Sequence, residues 1–67
     1  MKVYLVRLKE LREERKVTIT ELATETGFSK SAIQYWESGQ RVPSVAVLIK
    51  LAQYFGVTTD YILDLNN

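Results

Sequence analysis

Apolar residues recur along this 67-residue chain at three- to four-residue intervals, in short stretches separated by polar and glycine-containing breaks. No stretch sustains the alternation of period two that a half-buried strand requires. Leu5, Leu8 and Leu11, with Arg15 on or near the same face, predict an amphipathic helix over residues 4–15. Thr18-Ile19-Thr20-Glu21 has capping-box spacing, so a second helix begins near Ile19. Gly27 is placed to close it in a left-handed conformation about seven residues on. Ser29 is an N-cap for a third helix from Lys30 to about Ser38, stopped by Gly39. Pro43-Ser44 opens a fourth, whose core stripe is Leu48, Leu51, Ala52 and Phe55 and which ends at Gly56. Thr58 caps a last short helix through Asp64. The expectation is an all-α chain, one domain over residues 1–67, built as a compact set of five helices.

The third helix is two-faced. With Lys30 at zero and about 100° per residue, Ala32, Ile33, Trp36 and Glu37 occupy roughly 200–340°, and Lys30, Ser31, Gln34, Tyr35 and Ser38 fill roughly 0–140°. One arc is apolar except for Glu37 at its edge. The other consists of side chains that hydrogen-bond, and it carries no acid. Two short helices joined by a glycine-containing turn, as over about residues 18–39, form the helix-turn-helix arrangement, whose second helix can enter the major groove of DNA.

Composition narrows the alternatives. At 46% hydrophobic residues the chain is too apolar for intrinsic disorder and rich enough for one small core. With neither Cys nor His, a disulfide framework, a Cys/His zinc site and Cys/His nucleophilic catalysis are excluded. Glu10, Glu13 and Glu14 lie among Arg and Lys at helical spacing, an ordinary charged face rather than an acid–base pair, so no enzyme, cofactor or metal is expected. No apolar run approaches the ~18 residues of a membrane span, and the first residues are interrupted by charge too early for a signal segment. The expectation is a soluble cytoplasmic protein, with no room for a small-molecule-sensing domain. Nine Lys and Arg against eight Asp and Glu leave a formal charge of +1, so the bulk positive excess common in nucleic-acid binders is missing. Any affinity for DNA has to come from where residues are placed.

In order along the chain, Leu11-Arg12, Thr18-x-x-Glu21-Leu22-Ala23, Gly27-Phe28-Ser29, Ile33-x-x-Trp36-Glu37-x-Gly39, Pro43-Ser44 and Val57-Thr58-Thr59-Asp60-Tyr61-Ile62-Leu63 resemble the phage repressor and Cro-type (XRE) helix-turn-helix family. The resemblance covers residues 5–65. It implies a repressor-like five-helix fold and sequence-specific binding to double-stranded operator DNA, usually as a homodimer on a pseudo-palindromic site. Ala23 matches the small residue at which the two motif helices meet, Gly27 the turn, and Leu22, Ile33 and Trp36 the core. Arg12 and Glu37 match a partly buried salt bridge. Matching positions make Lys30, Ser31 and Tyr35 base readers, with Gln34 beside them. Lys30 can donate to guanine or a phosphate, Gln34 can bond adenine bidentately, Ser31 suits several bases, and Tyr35 can meet a thymine methyl or a phosphate. Phosphate contacts are expected near helix N-termini from Ser29, Thr20, Gln40, Arg41 and Ser44.

Two positions depart from the family pattern. Ile19 stands where a phosphate-clamping Gln is frequent, which weakens the anchor at the second helix. Lys16 replaces a frequent Gly at the end of the first helix. Val45, Val47, Ile49 and Tyr54 lie outside the fourth helix's core stripe, and Tyr61, Ile62 and Leu65 follow in the tail. Surplus apolar surface of this kind marks a partner. The family's dimer contact carries over to Val45, Thr59 and Tyr61. A different class of function stays open: an antitoxin-like or other protein-binding module on the same fold, for which the polar arc of the third helix would be dispensable.

Overall fold

Hydroxyl side chains mark the helix starts. The Thr18 oxygen accepts from the Glu21 amide at 3.0 Å while the Glu21 carboxylate accepts from the Thr18 amide at 3.0 Å, closing the capping box. Ser29 accepts from the Ala32 amide at 3.1 Å, Ser44 from Val47 at 3.3 Å and Thr58 from Tyr61 at 3.1 Å. Each bond satisfies an amide that the first turn of a helix cannot pair internally. The computed structural model describes residues 6–63 and shows, in chain order, α1 (Val6–Glu14), α2 (Ile19–Thr26), α3 (Lys30–Ser38), α4 (Val45–Phe55) and α5 (Thr59–Leu63). No strand occurs among the described residues. Tyr4, Leu5, Asp64 and Leu65, which the sequence places in the outer helices or the tail, lie outside them.

The helix ends are set by backbone handedness. Gly27 closes α2 at φ 84°, its amide donating to the Ala23 carbonyl at 2.8 Å. A Cβ there would meet nothing within 4 Å, so the torsion and not crowding selects glycine. At the end of α1 the left-handed residue is Lys16, at φ 56°. Its amide bonds to Glu13 at 3.1 Å and the Val17 amide to Arg12 at 2.9 Å, the paired pattern of a Schellman turn. The departure from glycine is therefore accommodated without changing the turn.

All five helices contribute to one core: Leu8 and Leu11 from α1, Leu22 from α2, Ile33 and Trp36 from α3, Leu51, Ala52 and Phe55 from α4, and Ile62 from α5. α1 packs on α3 and α5, α2 on α3 and α4, and α4 on α5. Leu48 is half-buried on the edge of this cluster, and so are Val47 and Tyr54, which helical spacing had placed outside the stripe. Tyr54 turns inward because its ring meets Phe55 edge-on, with centroids 4.9 Å apart, and its hydroxyl donates to Glu25 on α2. Val42, Val45, Ile49 and Tyr61 are the exposed large apolar residues among those described.

Replacing Lys16 with glycine removes a left-handed strain of about 1–2 kcal/mol and adds back ~0.5–1 kcal/mol of unfolded-chain entropy. Lys16→Gly is expected to raise the thermal midpoint by a few degrees in a domain of this size. A lower midpoint would mean that the lysine side chain stabilises the turn by more than its torsion costs.

Candidate nucleic-acid interface

α3 is held on its inner side and open on its outer one. Ile33 is 0% exposed and Trp36 9%. Lys30, Ser31, Gln34 and Ser38 are exposed, and Tyr35 is half-buried. The Ser38 hydroxyl donates to the Tyr35 carbonyl at 3.2 Å, so it is partly spent on the helix end. The turn before α3 is fixed by Phe28, whose ring meets Trp36 edge-on at 5.2 Å and carries the Lys50 ammonium of α4 5.2 Å from its centroid. Thr26, buried at the end of α2, donates to the Leu22 carbonyl at 2.6 Å and accepts from the Phe28 amide at 3.4 Å. The helix-turn-helix therefore enters its turn with the local polar groups paired.

Glu37, the acid at the edge of the apolar arc, is neutralised. Arg12 Nε donates to Glu37 Oε2 at 2.7 Å and Nη2 to Oε1 at 3.2 Å, a bidentate pair whose side chains are 13% and 8% exposed. Nη1 donates to the Val17 carbonyl at 3.1 Å. The bond to Glu37, more than burial opposes it, raises the arginine further above its already high pKa, so Arg12 stays charged at any accessible pH. Behind the motif, the Tyr54 hydroxyl is pushed above its ordinary pKa chiefly by donating to Glu25. A raised folded-state value means that this bond's contribution is complete below about pH 10 and is lost as pH rises through the folded pKa.

The remaining sequence candidates fall around α3. Ser29 and Ser44 use their oxygens as N-cap acceptors, and each hydroxyl proton is still available to a phosphate. Neither α3 nor α4 has an acid in its first turn, whereas α2 has Glu21. That carboxylate, together with Ile19, makes the α2 end the poorest anion site of the three, although Thr20 there is exposed. Gln40 and Arg41 are exposed in the loop after α3. The Arg41 guanidinium lies 4.6 Å from the Tyr35 ring centroid. Val45 stands 71% exposed at the start of α4, with Ile49 at 45% and Val42 at 61%. Thr59 is half-buried, and the Tyr61 ring is covered by Arg7 at 4.9 Å.

Sequence reasoning missed Val42, which sits in an irregular loop where no periodicity marks it. It also missed the Arg12 bond to the Val17 carbonyl and the Arg41 contact on the Tyr35 ring, each between a helix and the loop that follows it, and the Tyr54–Glu25 bond, which joins α4 to α2.

A helix-turn-helix family model matches residues 8–62, from the first buried core residue to the last. The chain belongs to the helix-turn-helix family of Cro/C1 (XRE) type. It is 35% identical over 65 residues to the uncharacterized HTH-type transcriptional regulator YobD of Bacillus subtilis, covering 97% of this chain and 58% of that one. It is 49% identical over 47 residues to the HTH-type transcriptional repressor RghR of Bacillus subtilis, covering 69% and 35%. To the HTH-type transcriptional activator BcrR of Enterococcus faecalis it is 35% identical over 57 residues, covering 85% and 28%. The chain thus spans 58% or less of the length of these relatives. No solved structure matches it. No helix among the described residues is long and apolar enough to cross a membrane.

Within this helix-turn-helix domain the Arg12–Glu37 bridge is open to direct test. Arg12→Ala leaves the Glu37 carboxylate buried and unpaired, with an expected loss of about 3–5 kcal/mol in urea or thermal unfolding. Arg12→Met combined with Glu37→Leu should recover most of that loss. An unchanged midpoint for Arg12→Ala would show that the pair contributes nothing to stability.

Proposed function

We propose that this chain is a sequence-specific DNA-binding transcriptional regulator that seats α3 in the major groove of a pseudo-palindromic operator. The observation that carries this reading is the state of α3: an exposed polar arc without acid, on a helix whose one carboxylate is neutralised from behind by Arg12. The exposed Lys30, Ser31 and Gln34 supply donors and acceptors complementary to those that base edges present in the major groove, and the half-buried Tyr35 lies at the end of the same arc. Ser29, Ser44, Gln40 and Arg41 supply phosphate contacts that set the docking angle, with Thr20 a weaker contributor beside Glu21. Successive major grooves on one face of DNA are ~34 Å apart. The domain's longest extent is 30 Å, and it carries one reading helix, so one copy serves one half-site.

A second copy pairs through Val45, Thr59 and Tyr61, with the exposed Val42 and Ile49 extending the apolar part of that face. The domain acts by occupancy, as a cytoplasmic repressor that excludes polymerase, and it performs no catalysis. The relatives include a named repressor and a named activator, so this sense of action rests on occupancy and not on the relatives. With a net charge of +1, binding should depend on base contacts and dimerisation more than on bulk attraction.

In vitro selection from random duplexes, repeated at two salt concentrations, is expected to return a palindrome whose half-sites lie about one helical turn apart. Replacing Ser31 and Gln34 together with Ala should cost at least tenfold in affinity for the selected duplex, since each good base contact contributes ~1–3 kcal/mol. It should leave binding to random duplex nearly unchanged. Sequence-blind binding that vanishes near ~0.2 M salt would sink the regulator reading. A double variant that still binds a protein partner tightly and never bound DNA specifically would favour a protein-binding module.

A further inference from the structure

The polar arc of α3 is not uniform. Lys30, Ser31 and Gln34 stand exposed, whereas Tyr35 is half-buried although it does not belong to the core cluster or to the apolar side chains packed against it. Arg41 covers its ring, with the guanidinium carbon 4.6 Å from the ring centroid. The contact is reinforced through the backbone. The Tyr35 carbonyl accepts from the Gln40 amide at 2.9 Å and from the Arg41 amide at 3.4 Å. The loop after α3 is thus folded back onto the same residue whose ring carries the arginine. None of the ion pairs among the described residues uses Arg41.

A guanidinium held over a ring is attracted by its π face, and no hydrogen bond or ion pair among the described residues spends the Arg41 guanidinium donors. Those donors are what a phosphate accepts from, bidentately. A long side chain already held in one arrangement loses less freedom on binding than one that samples many. A Tyr35 ring face occupied by Arg41 is, for the same reason, not available to lie on a thymine methyl.

We infer that Tyr35 is a positioning residue for Arg41: its ring holds the guanidinium ready for the DNA backbone, and its hydroxyl does not read a base. This rests on the regulator reading above and assigns Tyr35 a role different from that of its neighbours on the arc. Base discrimination then falls to Lys30, Ser31 and Gln34, and the end of α3 serves as a backbone clamp.

The test uses the whole chain, the selected operator duplex and a random duplex, with Arg41→Ala, Tyr35→Ala, Tyr35→Phe and the double Ala variant. Arg41→Ala is expected to weaken both duplexes alike, about five-fold per subunit at ~0.15 M salt, with the salt slope falling by about one. Tyr35→Ala should weaken both by about two- to five-fold, the worth of an exposed stack, and should add nothing once Arg41 is gone. Tyr35→Phe, which keeps the ring, should restore binding. In the DNA-free protein the Arg41 δ protons should be shifted upfield by the ring current, and that shift should disappear in Tyr35→Ala.

A changed base preference in Tyr35→Phe, or Tyr35 and Arg41 effects that multiply, overturns the inference. So does the absence of the ring-current shift in the unaltered chain. If the unaltered chain binds random and selected duplex equally, the regulator reading fails, while the variants on random duplex still decide the role of the stack. Binding to neither duplex sinks both.

Discussion

A helix offered to DNA has to present its polar side while its other side is buried, and in this chain that helix also carries a carboxylate. The bidentate bond from Arg12 to Glu37 is the constraint on which the rest of the structure turns. It joins α1 to α3 across 25 positions of sequence, and the third donor of the same guanidinium secures the Val17 carbonyl at the end of α1. Taking both charges out of water is costly, and only short, charge-assisted bonds offset it. The pair and the buried Ile33 and Trp36 act on the same helix in the same sense. With Glu37 drawn towards α1, Ile33 and Trp36 face the core and the acid-free arc faces outward.

Three of the other acids are also partnered. Glu21 completes a capping box, Glu10 faces Arg7 at 3.7 Å, and Glu25 accepts from Tyr54. These three carboxylates have partners within the fold, and in this chain of nearly balanced charge the outer arc of α3 and the first turns of α3 and α4 carry no acid. The balance also assigns the backbone anchors unequally. The α2 terminus, with Glu21 in its first turn, is the least suited to a phosphate, and the region around α3 and α4 takes up that role in the proposed complex.

So small a domain depends on its ends. Helices of five to eleven residues are too short to be stable alone, and each is defined by side-chain caps at its start, by a left-handed residue at its close, or by both. The core binds these units through one cluster that includes a residue from every helix. The rigidity of α3 is accordingly a property of the assembly. Phe28, wedged between Trp36 and Lys50, links the turn of the motif to α4, and Tyr54 links α4 back to α2.

What the sequence determined by itself was whatever depends on residues near one another in the chain. Capping-box spacing at Thr18 and Glu21, serines ahead of apolar runs, and glycine at Gly27 and Gly39 act within a few residues, so the starts of α2, α3 and α4 and their ends were legible. Helical spacing likewise separated the two arcs of α3. The Arg12–Glu37 pair was readable through family resemblance alone, because nothing local links two residues so far apart. Only the tertiary structure decided that Tyr54 and Val47 turn towards the core, that Val42 stands exposed, that Arg7 covers Tyr61, and that Arg41 lies on Tyr35. A helical wheel gives the direction in which a side chain leaves its own axis. Which neighbour it meets there depends on how the helices are packed together, and that packing is settled by the shared core and by one buried ion pair.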